Sequence, residues 1–192
     1  MTLAIFDLDN TLLHGDSDHA WGEFIADLGI VDGKSYRAQN DAFYADYCRG
    51  ALDIFAYQRF VLEPLAGLSM AELARWHEQF MREKIEAIIL PKAQALVDSH
   101  RAQRHTLMII TATNSFVTAP IAKRFGIDTL IATTPEQKNG TYTGDIVGVP
   151  CYREGKVERL NAWLEENNET LQGSFFYSDS HNDLPLLQRV DK

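Results

Sequence analysis

Four short apolar runs, each closed by polar or acidic residues and set apart by stretches of helical periodicity, restrict most what this chain can become. Residues 3–8 form the first, interrupted by Asp7 and followed by Asn10 and Thr11. The second is 106–110, ending at Thr111, Ala112 and Thr113; the third is 128–132; the fourth is 174–178, ending at Asp179. Runs this short and this apolar read as strands buried on both faces. Between them, Pro91 suits the first turn of a helix running to about Arg104, and Asn114 and Gly126 suit the N-cap and C-terminal cap of another. Val157, Leu160 and Leu164 mark a further amphipathic helix. Strands alternating with helices predict an α/β fold, a parallel sheet covered on both faces.

Residues 16–86 have a different texture, with aromatic and aliphatic residues at helical spacing and nothing that reads as a strand. Ser69 and Glu72 form a capping box ahead of the stripe Leu73, Trp76 and Phe80. This block reads as an insertion covering one end of the sheet. Asn139-Gly140 is a hairpin signal, so residues 134–147 are expected to form a small antiparallel flap. A chain of 192 residues, 45% hydrophobic, can bury a real core but not two large ones, which favours one domain with an insertion.

A formal net charge of −9 without a Lys/Arg cluster argues against nucleic acid as a partner. It does not exclude a phosphate substrate, because a divalent cation held by carboxylates reverses the local sign. Cys48 and Cys151 stand far apart, with no Cys or His nearby at zinc-ligand spacing, and read as reduced thiols. The first acid, Asp7, comes too early for a signal-peptide core, and no apolar run approaches membrane-spanning length. The expectation is a cytoplasmic protein with no membrane partner.

In doubly wound sheets, ligands bind at the carboxyl ends of the strands. Asp7 and Asp9, Thr111, and Asp179 and Asp183 all fall at such ends. Taken singly, each has an ordinary reading: an Asp pair starts a turn, a Thr closes a strand, and Asp179 to Asp183 supplies an N-cap for the helix beginning near Leu184. Together the two acidic clusters could hold magnesium, a hard cation that prefers a few carboxylate oxygens, waters and substrate phosphate. Lys156 follows Gly155 in a predicted first helical turn, where a cation opposes the helix dipole and needs another justification. It is no P-loop lysine, since the upstream glycine and the following Ser or Thr are missing.

Asp7-Leu8-Asp9-Asn10-Thr11, Thr111, Lys156 and the segment from Asp179 through Asp183 match, in order and with family-like spacing, the four motifs of the haloacid dehalogenase-like hydrolases. The chain resembles that superfamily over nearly its whole length, in the branch containing phosphoserine phosphatase (subfamily IB). The resemblance implies a Rossmann-like, three-layer catalytic core from residues 1–14 and 88–192, with a helical cap over 15–87 inserted after the first strand. It also implies Asp7 as nucleophile, forming an aspartyl-phosphate, and Asp9 as general acid and then base. Magnesium would be held by Asp7, the Asp9 backbone carbonyl and Asp179, with Asp183 orienting the lysine or a metal-bound water. Thr111 and Lys156 would hold the phosphoryl oxygens. Asp9 separates the chain from the dehalogenases, which lack that second aspartate and release a halide needing no proton.

For the substrate, the resemblance puts Asp16 where phosphoserine phosphatases face the substrate amine, and puts Arg59 at the family's spacing from Gly50 for pairing a substrate carboxylate. As plain residues, Asp16 is an N-cap and Arg59 a surface helix residue. Ala112 and Thr113 replace the family's paired glycines, so close backbone approach to a small substrate is in doubt, and Ala112 and Asn182 are further candidate substrate contacts. Residues 15–21, with Asp18 in addition to Asp16, resemble a bacterial subgroup that includes histidinol-phosphatases. Asp16 and Asp18 suit an amine plus an imidazole; Arg59 suits a carboxylate. The expectation is a small phosphorylated metabolite such as phosphoserine or histidinol phosphate. A phosphotransferase or mutase, or a catalytically silent regulatory module, remains an alternative, and the oligomeric state is left open. After Leu186-Leu187-Gln188-Arg189 the family usually continues into another strand and helix, so an exposed sheet edge is expected here.

Overall fold

Alternation along the two central strands sets the layers of the molecule, whose computed structural model describes residues 2–192. In β1 (Leu3–Phe6), Leu3 and Ile5 enter one hydrophobic cluster while Ala4 and Phe6 enter another. In β2 (Thr106–Asn114), Met108 and Ile110 join the first and Ile109 the second. Successive side chains on a strand point to opposite faces, so the two clusters lie on the two sides of one sheet. Leu160 of α7 (Glu154–Asn167) and Leu186 of α8 (Leu184–Leu187) complete the Leu3/Ile5 side. Val97 of α5 (Pro91–Ala102) and Val117 and Ile121 of α6 (Ser115–Arg124) help complete the other.

The remaining strands are β3 (Thr129–Lys138), β4 (Thr141–Val147) and β5 (Phe175–Tyr177). Among the described residues the sheet has five strands in the order β4-β3-β2-β1-β5. β1 pairs in parallel with β2 (Leu3 opposite Thr106) and β5 (Ala4 opposite Phe175), and β2 with β3. The expected antiparallel flap over 134–147 is present at one edge, where β4 is antiparallel to β3 from Thr134 opposite Val147 to Lys138 opposite Thr141. The flap is continuous with the sheet: β3 runs on past residue 132 into the hairpin, and Asn139 and Gly140 make its turn with φ of 52° and 79°. At the opposite edge Lys192 exchanges backbone hydrogen bonds with β5, through Phe176 N–H and Ser174 C=O at 3.0 and 3.1 Å.

The helical insertion forms as α1 (Ser17–Asp27), α2 (Gly33–Cys48), α3 (Ile54–Leu62) and α4 (Met70–Phe80). Ser69 caps α4 as expected, accepting from Glu72 N–H at 3.2 Å. As expected, no strand forms between residues 16 and 86; Ala66 makes an isolated bridge to Tyr142, and Leu13 and Ile89 bridge each other at the block's two ends. Packing does not stop at the insertion's edge. Trp21, 1% exposed, meets Phe80 and Phe116 edge-on at 5.1 Å, and the His77 ring bonds the carbonyl of Val117 on α6 at 2.9 Å. One apolar cluster thus runs from α1 and α4 into α6 and β1.

Because Trp21 ties these layers together, Trp21→Ala is expected to cost about 3–5 kcal/mol of stability. Urea unfolding would show this as a lowered midpoint in a single transition. Two separated transitions would mean that the insertion and the sheet unfold independently.

Candidate active site

Three chain segments that are distant in sequence converge at the carboxyl ends of β1, β2 and β5. Asp7 leaves β1 with its N–H bonded to the Tyr177 carbonyl at 2.9 Å, which fixes the loop beside β5. The chain then doubles back: Leu12 N–H bonds Leu8 C=O at 2.8 Å, and Asn10, at φ 55°, bonds Gly15 C=O. This turn puts the Thr11 hydroxyl 3.5 Å from Asp7 Oδ2 and 3.2 Å from Asp179 Oδ1.

Lys156 arrives from the first turn of α7. Its ammonium is buried and bonds Asp7 Oδ1 at 2.8 Å and Asp183 at 2.7 Å, which supplies the justification that the helix dipole demands. Gly155 allows the approach, since a Cβ there would lie 2.1 Å from the Pro150 carbonyl oxygen. Burial alone would lower the Lys156 pKa, but the Asp7 and Asp183 charges outweigh it and hold the ammonium above its usual range. Asp183 also accepts from Ser178 Oγ at 2.7 Å, so the contacts of its carboxylate are with the lysine and that hydroxyl.

Asp9 is held differently. Its two oxygens accept from Ser17 N–H at 2.6 Å and from Thr113 Oγ1 at 2.8 Å. Burial raises it to about 7, the Asp16 charge adding to the effect and the Ser17 and Thr113 bonds opposing it. Burial likewise raises Asp7 to about 7, against the pull of Lys156. Thr113, which the sequence reading counted only as a departure from glycine, is therefore an orienting partner of the second aspartate. The register of β2 against β3 shifts between Thr111 and Asn114, an irregularity that residue types do not announce. Its one visible trace was a second hydroxyl two residues beyond Thr111. The Thr111 hydroxyl itself accepts from Thr113 N–H at 3.2 Å.

Asp7 and Asp179 turn carboxylate oxygens toward the same hydroxyl, and the Asp9 carbonyl follows in the same loop; this hard oxygen set fits a magnesium-like cation that keeps several waters. Another possible ligand group, His19, Glu23 and Asp41, lies apart on the insertion's surface, where Arg37 already pairs with Glu23 at 2.9 Å.

Above Asp7 and Asp9 lies a cavity of about 30 Å³, walled by Asp16, Asp18, Thr111, Ala112 and Thr113 and by aromatic and aliphatic residues of α2 and α3, among them Phe43, Tyr44, Tyr47 and Tyr57. The enclosed part has room for about one water. Among the described residues, no Lys or Arg lines it. Two expected contacts lie elsewhere. Arg59 is exposed on α3 and does not line the cavity, because Tyr57 and Gln58 turn inward at that point of the helix. Asn182 is also absent from the lining: its amide donates to the Tyr47 carbonyl at 3.1 Å and accepts from Arg153 and Tyr152 at 3.2 Å. Arg153 in turn bonds the Gly50 carbonyl, so Asn182 and Arg153 fasten the insertion to the loops bearing Lys156 and Asp179. Gln58 adds a bond to the Ala112 carbonyl at 3.3 Å.

A mostly parallel sheet whose strand ends carry paired aspartates, a buried lysine and a threonine beneath a helical insertion has the layout of a hydrolase. The chain belongs to the haloacid dehalogenase-like hydrolase family, whose model matches residues 4–188. It is 48% identical to a histidinol-phosphatase of Neisseria meningitidis, over 99% of this chain and 87% of that one. It is 31% identical to a phosphoserine phosphatase of Mycobacterium tuberculosis, over 97% of this chain and 62% of the relative. Among solved structures, a Bordetella pertussis protein of unknown function superposes with a TM-score of 0.92 at 47% identity, covering 100% of this chain and 89% of that one. A substrate-bound phosphoserine phosphatase superposes at 0.72 with 16% identity, over 98% and 82%, a likeness of fold.

The raised carboxylates make stability depend on pH with a definite sign. Between the usual carboxylate value of 3.8 and about 7, the folded chain keeps protons on Asp7 and Asp9 that the unfolded chain has released. Asp16 and Asp18 shift the same way through burial, while burial lowers His77 and His100 and acts oppositely below their usual 6.5. Four acids outnumber two histidines, so the Tm of chelator-treated protein should fall from about pH 5 to about pH 8. Added magnesium should raise it most at the upper end, where the ligands are ionised. A Tm that climbs across this window in chelator would contradict the assignment.

Proposed function

We propose that the protein hydrolyses histidinol phosphate, a phosphomonoester carrying an amine and no carboxylate, by a magnesium-dependent aspartyl-phosphate mechanism. The chain is a phosphatase of the haloacid dehalogenase-like family, and the observation that carries the substrate choice is the cavity's charge. Four carboxylates line it, no cationic side chain does, and Arg59 stands outside. A substrate carboxylate there would be buried against acids without a partner, whereas an ammonium would find several. The 48% identical histidinol-phosphatase supports the same choice.

In this reading Asp7 attacks phosphorus as the ester P–O bond breaks, and Asp9 gives its proton to the leaving alkoxide. Asp9 is suited to that task because burial places it near 7, so the protonated form is populated at neutral pH. Water then attacks phosphorus, the Asp7–P bond breaks, and Asp9 takes the water's proton, releasing inorganic phosphate. Lys156, fixed by Asp7 and Asp183, and Thr111 meet the phosphoryl oxygens where charge develops. Magnesium, held by Asp7, the Asp9 carbonyl and Asp179, supplies positive charge that offsets repulsion between the Asp7 carboxylate and the phosphate.

Phosphate release with magnesium and with chelator, from histidinol phosphate, phosphoserine and an aryl phosphate, tests the substrate. Histidinol phosphate is expected to exceed phosphoserine in kcat/KM by at least about ten-fold, the worth of a hydrogen bond to a charged group. A preference for phosphoserine would overturn the choice.

The mechanism is tested by substitution. Asp7→Asn should abolish turnover, and Lys156→Ala should lower kcat by about 10²–10³-fold. An Asp7→Asn enzyme of near-normal activity would rule out the covalent route.

A further inference from the structure

Of the four acids in the cavity, Asp18 alone has a carboxylate oxygen buried without a hydrogen-bonded partner. Asp7 has Lys156; Asp9 has Ser17 and Thr113; Asp16, capping α1, accepts from His19 N–H at 2.8 Å. Asp18 is 2% exposed, its Oδ1 has only a long 3.5 Å contact from Asn114 Nδ2, and its Oδ2 has no partner at hydrogen-bonding geometry, although the Tyr57 hydroxyl lies near enough to oppose the upward push of burial on its carboxyl. An unpaired buried carboxylate oxygen is costly unless a bound group supplies the missing donor.

Its place tells which end of a substrate would do so. Asp9 feels Asp16 as its principal neighbouring charge, which puts Asp16 next to the reacting end. Asp18 acts on Tyr57 and Tyr36, on the side of α2 and α3. Asp7 is taken up by Lys156 and Asp9 by Ser17 and Thr113, so the reacting acids are already engaged and Asp18, beside Tyr57, is the acid left for the substrate's other end. Around Asp18 the wall is aromatic and aliphatic, with Tyr57, Phe43 and Ile54 in the same cavity. A flat heteroaromatic ring bearing an N–H satisfies both features, packing on aromatic faces while donating to the carboxylate. A second alkylammonium would satisfy only the charge. Asp16, half-buried rather than closed off, suits the ammonium nearer the ester.

We infer that Asp18 is the specificity residue for a nitrogen heterocycle at the end of the substrate remote from the phosphate, accepting the ring N–H on Oδ2 beside Tyr57. This rests on the reading of the cavity as one for an amine-bearing phosphomonoester and assigns the group that selects among such esters.

The test compares histidinol phosphate with 2-aminopropyl phosphate, which keeps the amine and lacks the ring, in the wild type and in Asp18→Asn. In Asp18→Asn, KM for histidinol phosphate should rise at least about ten-fold more than KM for the ringless ester, with kcat changed little on either. Free histidinol should lose potency as an inhibitor of aryl phosphate hydrolysis by a similar factor, while 2-aminopropanol should not. Equal KM changes on both esters, or none, would overturn the inference and leave the amine-phosphatase reading intact. A wild type that favours carboxylate-bearing esters and ignores both amines would overturn both. Should Asp18→Asn fail to fold, Tyr57→Phe is read in the same assays, with a smaller shift of the same selectivity expected and an unchanged ratio counting against it.

Discussion

The ion cluster of Asp7, Lys156 and Asp183, nearly dry and at hydrogen-bonding distance throughout, is what the rest of the site depends on. It joins the end of β1, the first turn of α7 and the loop after β5. A buried charge left without its partner is strongly destabilising, so these three segments are held in one relative position. Gly155 and the bond from Ser178 to Asp183 serve the same cluster from behind. Such an arrangement is weak evidence for stability as such, and its value lies in fixing where the Asp7 carboxylate and the Lys156 ammonium sit.

Around this cluster the electrostatics are lopsided in a useful way. Asp9, Asp16 and Asp18 add negative charge that no protein cation in the cavity balances. Burial answers by raising their pKa values, so part of the cost is met by retained protons. A metal dication at one end and a cationic or N–H-bearing substrate at the other would meet the remainder. The overall charge of −9 is consistent with a site whose ligands bring the positive charge. The helical insertion is bonded to this site through the backbone carbonyls of Tyr47 and Gly50, which accept from Asn182 and Arg153 in the loops that carry Asp179 and Lys156.

Much of this was legible beforehand because it rests on local rules. The strand runs were apolar enough to be placed, the N-cap at Asn114 and the capping role of Ser69 follow from side-chain chemistry, and Asn139-Gly140 has one favoured turn. Asp7, Asp9, Thr111, Lys156 and Asp179 could be singled out since strand ends are where such folds bind ligands. Arg59 and Asn182 show where spacing fails. A one-position change of helical phase moves a side chain by about 100°, enough to put Arg59 outside while Tyr57 and Gln58 face in. Asn182 is a polar residue in an acidic loop, and nothing local told that its partners would be Tyr47 and Arg153.

The sequence by itself determined the alternation of strands and helices, the acids at strand ends and the family, because periodicity, capping and motif order are properties of neighbouring residues. Only the tertiary structure decided which acids have partners, that Thr113 holds Asp9, that β3 carries the sheet on into the hairpin, and that among the described residues no Lys or Arg lines the cavity. Those facts depend on which distant segments are packed together and on how much water each polar atom loses, and burial with its partners is settled by the whole fold.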